Sequence, residues 1–221
     1  MAIALVLGAT GLVGRELTKL LLHHQQFSEV HVFVRRRTGL HSPMLYEHVV
    51  AFDRPEQWRD EVKGDVLFSA MGTTLKAAGS KEAQYKVDYT YQYQFAQAAA
   101  QNSVSRYVLV SAANAALNSL FFYSRMKAEL ERDVLRLPFE HTSILQPGLL
   151  AGDRQEKRTG EGLALKLSGL LQHIPGLGML KSIPGESVAK AMIQTATRQK
   201  EAKRIYNMQE LFLLAQHYRN Q

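Results

Sequence analysis

The sequence predicts an α/β protein built on a doubly wound, mainly parallel sheet. Short apolar runs of strand length alternate with helical stretches of ten or more residues, and the first run passes into its helix through GATGLVG at 8–14. Helical crossovers are what join parallel strands, and strands covered on both faces read as continuous apolar runs.

IALVL at 3–7, bracketed by Gly8, is the first such run. An apolar amino terminus also suits a secretion signal, but a signal needs a positive leader, and residues 1–14 contain no Lys or Arg. Val13, Leu17, Leu20, Leu21 and His24 then recur at helical spacing, with Arg15, Glu16 and Lys19 on other faces. VHVFV at 30–34 is the next strand, followed by a short one around His48 to Phe52 and by VLFSA at 66–70. Ser80 to Gln101 is a long helix rich in Ala, Gln and Tyr. Strand RYVLVS at 106–111, a helix near Leu120 to Leu137 and strand HTSIL at 141–145 continue the alternation. Beyond Pro147 the rhythm breaks: residues 148–185 hold eight of the fifteen glycines and two prolines, which predicts a loop-rich elaboration on the substrate side. Helices over Glu186 to Arg198 and Gln209 to Tyr218 close what is expected to be one domain over residues 1–221.

Composition narrows the function classes. With 46% hydrophobic residues the 221-residue chain can bury one substantial core, and no stretch approaches the roughly 18 apolar residues of a membrane span. The absence of cysteine removes disulfides, thiolate catalysis and cysteine-ligated metal. Without a leader, cytoplasmic residence is expected. The formal charge of +7 suits nucleic acid, an anionic membrane or an anionic small molecule. Its clusters are short and not interleaved with aromatics, so no specific nucleic-acid site is expected, and Arg198, Lys200, Lys203 and Arg204 read as solvated surface. The eight histidines, His23-His24 included, show no metal-ligand spacing, and no metal site is expected. Tyr85, Tyr89, Tyr91 and Tyr93 read as a core or dimer face of the long helix, and the apolar stretch at 163–180 as packing, a lid or a docking segment.

Three motifs carry chemistry. Gly8, Gly11 and Gly14, with Thr10, Leu12 and Val13 between them, sit where a strand hands over to a helix, so that bare backbone amides and the helix dipole can approach a pyrophosphate. At the end of the second strand a site for NAD places an acid about 20 residues after the glycines. Here Arg35 lies 21 positions after Gly14, Arg36 follows it, and no acid lies between Glu29 and Glu47. A guanidinium on a 2′-phosphate corresponds to a roughly 10- to 150-fold preference for NADPH over NADH. Arg37 reads as solvated.

The third motif is FFYSRMK, which puts Tyr123 and Lys127 on one helix face. A tyrosine with an ordinary pKa near 10 is a poor base at neutral pH, and lowering it to about 7 takes about 4 kcal/mol of phenolate stabilisation. A neighbouring ammonium supplies part of that.

On GATGLVG, VFVRRR, MGTT at 71–74, FFYSRMK, LQPGLLAGDRQEKRTGE at 145–161 and SIPGESVAKAM at 182–192, the chain resembles an atypical short-chain dehydrogenase/reductase, most closely the Tat-interactive-protein branch of oxidoreductases. The resemblance implies a Rossmann fold, NADPH, and a small carbonyl or alcohol substrate. It implies Tyr123 as acid/base, Lys127 as its partner and cofactor holder, and Ser111 as the catalytic hydroxyl that remains of a pair after the fifth strand; if the missing one is the hydroxyl that polarises the substrate oxygen, that donor is absent. It places Ala70, Met71, Gly72 and Thr73 under the cofactor, Asp53 near adenine, and Pro147, Gly148 and Leu149 near the nicotinamide. A homodimer through the helices near 80–101 and 120–137 is also implied. Two positions depart from the family pattern: LVSAANA keeps Ser111 but has Ala112 where a second hydroxyl is usual, and Gln146 replaces the usual Arg before Pro-Gly. Ser124 and Asn114 are the candidate replacements for the missing hydroxyl. A regulatory or scaffold protein that binds NADPH with little catalysis is the alternative.

Overall fold

The computed structural model describes residues 1–151 and 182–218. Strands β1 (Ala2–Leu7), β2 (Phe27–Val34), β3 (Leu45–Val49), β4 (Val66–Ser69), β5 (Arg106–Val110) and β6 (His141–Leu145) come first in the chain. A short pair, β7 (Leu150–Ala151) and β8 (Ile183–Pro184), precedes β9 (Lys203–Tyr206). Seven strands form one sheet in the order β3-β2-β1-β4-β5-β6-β9, every neighbouring pair parallel, and β7 with β8 forms a separate parallel pair. The helices are α1 (Leu12–Leu21), α2 (Leu75–Ala78), α3 (Lys81–Tyr85), α4 (Tyr91–Gln101), α5 (Phe122–Val134), α6 (Gly185–Arg198) and α7 (Met208–Gln216).

Alternation along the strands divides the core into two layers. Ala4, Val6, Val32, Phe68 and Val108 pack on one face with Leu17 and Leu21 of α1, Val188 and Met192 of α6, and Leu211 of α7. Leu5, Leu7, Phe33, Leu67 and Leu109 pack on the other with Phe95 of α4, Leu130 and Val134 of α5, and Trp58. Trp58 and Phe95 stack at 3.8 Å between centroids. Residues facing both ways are fully buried, which is why the strands read as uninterrupted apolar runs.

Three elements differ from the sequence expectation. The third strand ends at Val49, because Phe52 turns out of the sheet into the core beside Phe95, 5.5 Å between centroids, so the apolar residue that extended the predicted strand belongs to a turn. The helix over 80–101 is continuous in direction but contains a π-turn at Lys86–Thr90. β9 takes up Lys203 and Arg204, read as mere surface, as the edge strand of the sheet, where exposed charges discourage pairing with another chain. On the opposite edge, Glu29, His31, His48 and Glu61 form a string of contacts of 2.8–2.9 Å that ties β3 to β2 and to the turn after it. Most of the 148–185 elaboration, including the 163–180 stretch, lies outside the described residues.

Candidate dinucleotide and catalytic site

All seven strands run the same way, so their carboxyl ends share one edge, and the chain departs in opposite directions from β1 toward β2 and β4. Ligands of open parallel sheets bind outside that reversal. Gly8 follows β1 there, Ala70 to Thr73 follow β4, Ser111 follows β5, and Gln146 to Leu149 follow β6.

The glycines of the first crossover have distinct causes. Gly8 has φ +88°, and a Cβ on it would lie 2.7 Å from the carbonyl of Ala70 and the amide of Met71. On Gly14 a Cβ would lie 2.1 Å from the Gly8 carbonyl oxygen. Backbone therefore meets backbone on both sides of the loop. Gly11 is the N-cap of α1, and its amide donates to Gly8 O at 2.9 Å. Thr10 and Gly11 are exposed, Leu12 is half-buried and Val13 is in the core. No side chain caps α1 and no acid occupies its first turn, which leaves its first amides and its positive dipole end for a partner from outside the helix. This is a cradle that a pyrophosphate fits. Gly8→Ala is expected to cost about 1–3 kcal/mol from backbone strain, measured by urea unfolding without nucleotide.

Past β2, Arg35 and Arg36 are exposed and have no ion-pair partner among the described residues. Arg37 instead lies 3.6 Å from Glu47, whose carboxylate also accepts the amide and hydroxyl of Thr38. Burial pushes the Glu47 carboxyl up, but those bonds outweigh it and hold the group below the usual range. Asp53 is exposed and bound by Lys86 Nζ at 2.5 Å and the Tyr91 hydroxyl at 2.6 Å, which hold it below the usual carboxylate range. Both contacts run to the helical segment, not to the glycine loop.

Tyr123 opens α5, 38% exposed, and its hydroxyl has no hydrogen-bond partner among the described residues. One turn on, Lys127 is only 2% exposed. Its ammonium donates to Val110 O at 3.3 Å and lies 4.0 Å from Asp88 Oδ1. Asp88, 1% exposed, comes from the π-turn and accepts the Thr73 amide on Oδ2 at 2.9 Å. The loop after β4, the π-turn and α5 thus meet at one buried ion pair. A Cβ on Gly72 would come within 3.2 Å of the same carboxylate.

A second buried carboxylate lies one further turn along α5. Glu131, 7% exposed, accepts the Ser111 hydroxyl on Oε1, while Gln146 Nε2 donates to Oε1 at 3.0 Å and Oε2 at 3.1 Å. Burial pushes its carboxyl up, against the pull of Ser111, Gln146 and the Lys127 charge. Tyr123, Lys127 and Glu131 therefore occupy successive turns of one helix face. Ala112 is buried, Asn114 is exposed, and Ser124 is buried with its carbonyl taking the Ala116 amide at 3.3 Å. Neither candidate replacement hydrogen-bonds Ser111. The carbonyls of Pro147 and Leu149 accept the amides of Ala113 and Ile183 at 2.9 and 2.8 Å, with Gly148 half-buried between them. Tyr85 and Tyr89 stack at 4.7 Å and donate to Glu129 and Asp133 of α5, so these tyrosines join the helices within the chain.

The residue pattern has clear counterparts. The family description HIM1 matches residues 60–175, over half of the chain, and that of a semialdehyde dehydrogenase NAD-binding domain matches residues 3–99. The protein fmp52, mitochondrial, of Aspergillus niger is 33% identical over 206 residues, spanning 90% of this chain and 88% of that protein. FMP52, mitochondrial, of Saccharomyces cerevisiae is 42% identical over 164 residues, spanning 72% and 70%. The chain belongs to the FMP52 family. Membership corrects one expectation: FMP52 proteins carry mitochondrial names, which overturns the cytoplasmic residence read from composition. Cysteine content constrains redox chemistry and carries no address.

The fold of this FMP52-family chain is that of the short-chain dehydrogenases. A short-chain dehydrogenase/reductase superfamily protein from Agrobacterium tumefaciens with bound NAD superposes at a TM-score of 0.70 with 15% identity, over 93% of this chain and 77% of that one. The UDP-Glc/GlcNAc 4-epimerase of Campylobacter jejuni superposes at 0.72 with 12% identity, over 96% and 82%. A Rossmann-like fold is thereby established. No helix among the described residues is long and apolar enough to cross a membrane.

Asp88 and Glu131 are the site residues that motif reading missed. Glu131 carried a signal, four positions after Lys127 on the same face. Asp88 carried none, because the π-turn sets its direction.

Proposed function

We propose that the chain is an NADPH-dependent oxidoreductase of the short-chain dehydrogenase/reductase type, acting on a small carbonyl or alcohol, with Tyr123, Lys127 and Ser111 as its catalytic groups. One observation carries this: past the carboxyl edge of the sheet, on which the glycine loop also lies, a buried lysine sits one helical turn from an accessible tyrosine whose hydroxyl has no partner among the described residues. NADPH, when bound, supplies the hydride. Thr10, Gly11, Leu12 and Val13 would hold its pyrophosphate, Arg35 and Arg36 its 2′-phosphate, and Ala70 to Thr73 with Pro147 to Leu149 the remainder. Tyr123 passes its phenolic proton to the substrate oxygen as a carbonyl is reduced, or takes one as an alcohol is oxidised. Lys127, fixed by Asp88 and Val110, would hold the cofactor one helical turn from the phenol. Ser111 orients the substrate oxygen. The narrower likeness to the Tat-interactive-protein branch, a homodimer and the role of Asp53 near adenine belong to the same proposal.

Calorimetry with both reduced nucleotides tests the cofactor. NADPH is expected to bind more tightly than NADH, and Arg35→Ala with Arg36→Ala to erase a roughly 10- to 150-fold preference. Equal affinity of the unaltered protein for both nucleotides would end the assignment of the arginines, and binding of neither would end the whole proposal.

One observation favours a second reading. The Ser111 hydroxyl is already spent on Glu131, with Ala112 beside it, which describes a site thinned for catalysis and serving as an NADPH-binding regulator. A partner whose affinity changes with NADPH, and no NADPH consumption across a carbonyl panel, would favour it.

A further inference from the structure

The hydroxyl that should meet the substrate is bonded to a carboxyl group, and a hydroxyl has one proton. When Glu131 is ionised it is acceptor only, so the Ser111 proton is drawn to Oε1 and only oxygen lone pairs are left toward the site. When Glu131 is protonated, its own O–H can donate to Ser111 Oγ, and the serine proton is released. Gln146 serves both states, because its amide donates to either carboxyl oxygen. A guanidinium at position 146 would hold Glu131 ionised, whereas the neutral amide does not.

The groups around Glu131 are few. Lys127 lies one turn back on α5, and its charge is shared with Asp88 from the π-turn. Ser111 comes from the end of β5 and Gln146 from the end of β6, while the sequence of α4, YQYQFAQAAAQ, offers no ionised group at neutral pH. Tyr123 is two turns back on the same face. Glu131 therefore sits beside one cation, itself already paired.

We propose that Glu131 is a positioning residue whose proton sets the direction of the Ser111 hydroxyl: as the acid it turns Ser111 into a donor for a substrate carbonyl, and as the carboxylate it turns Ser111 into an acceptor for a substrate alcohol. This deepens the proposed function and rests on it. No proton is consumed by the switch in turnover: the hydride and the Tyr123 proton account for the reduction, and Ser111 lends only a hydrogen bond. Burial, which pushes the Glu131 carboxyl upward, brings its change of state toward working pH.

Infrared difference spectra from about pH 5 to about pH 9, paired with 4-nitrobenzaldehyde reduction by NADPH, test the switch. A protonated-carboxyl band is expected to titrate in the unaltered protein, to vanish in Glu131→Gln, and to shift in Ser111→Ala as its hydrogen bond is lost. Reduction should fall about tenfold per pH unit once Glu131 ionises, beyond any dependence from Tyr123. Glu131→Gln, whose amide can donate to Ser111 at every pH, should remove that limb. Gln146→Arg leaves Glu131 in place and should abolish the band and depress reduction at all pH values, so the test survives a failure of Glu131→Gln to fold. Identical band patterns in the unaltered, Ser111→Ala and Gln146→Arg proteins overturn the switch. Unchanged pH profiles in the glutamate and glutamine variants also overturn it. Should no protein consume NADPH although calorimetry shows it bound, catalysis falls, and the shift of the band in Ser111→Ala still decides whether the two groups are coupled.

Discussion

Asp88→Ala is expected to lower the stability of the chain by about 3–5 kcal/mol, the cost of breaking a buried ion pair from one side. The carboxylate lies 4.0 Å from the Lys127 ammonium, and neither side chain exposes more than 2% of its surface. Removing it leaves a buried cation bonded to the Val110 carbonyl but without its counter-charge, and it takes the acceptor from the Thr73 amide. Water cannot readily replace the lost charge at that depth. For a chain of this size the loss corresponds to a fall in melting temperature of about 6–20 °C. The informative comparison is the double variant Asp88→Leu with Lys127→Met. Removing both charges takes away the desolvation cost together with the attraction, so the double variant should be more stable than Asp88→Ala. A melt within a degree of the unaltered protein would show that Lys127 reaches water, and its role as a fixed, buried cation would be lost.

That ion pair also marks where the sequence stopped being legible. β1, β5 and β6 were readable because each is buried on both faces and, past Arg106 and His141 at the starts of the last two, offers only apolar, aromatic or small residues to read. β3 was misplaced because Phe52 satisfies its hydrophobicity from a turn, and one-dimensional pattern cannot separate a core contact made from a strand from one made from a loop. β9 was missed because an edge strand with charged residues has the composition of a surface. At the site, the glycines, Tyr123 and Lys127 were visible as motifs. Their supports were not: the direction of Asp88 depends on one π-turn, and the bond from Ser111 to Glu131 on the packing of α5 against the strand ends. Motifs name the groups that act, while the groups that hold them are chosen by tertiary contact.

Tyr123→Phe separates those two kinds of residue. The phenol is 38% exposed and its hydroxyl has no hydrogen-bond partner among the described residues, so removing one oxygen breaks no contact within the described fold. Stability should stay within about 0.5 kcal/mol, as for ordinary surface changes. Turnover should fall about 100- to 10,000-fold, the range attached to a positioned general acid. NADPH affinity should be unchanged, because the lysine one turn away, and not the phenol, is the group assigned to the cofactor. Ser111→Ala is the contrast: it takes a partner from a buried carboxyl group, so it should cost stability as well as rate. Measuring kcat, the NADPH dissociation constant and the urea midpoint for both proteins gives two different signatures, rate alone for Tyr123 and rate with stability for Ser111. If the phenylalanine variant turns over as fast as the unaltered protein, the proton comes from elsewhere, and the accessible phenol at the head of α5 belongs to binding rather than to chemistry.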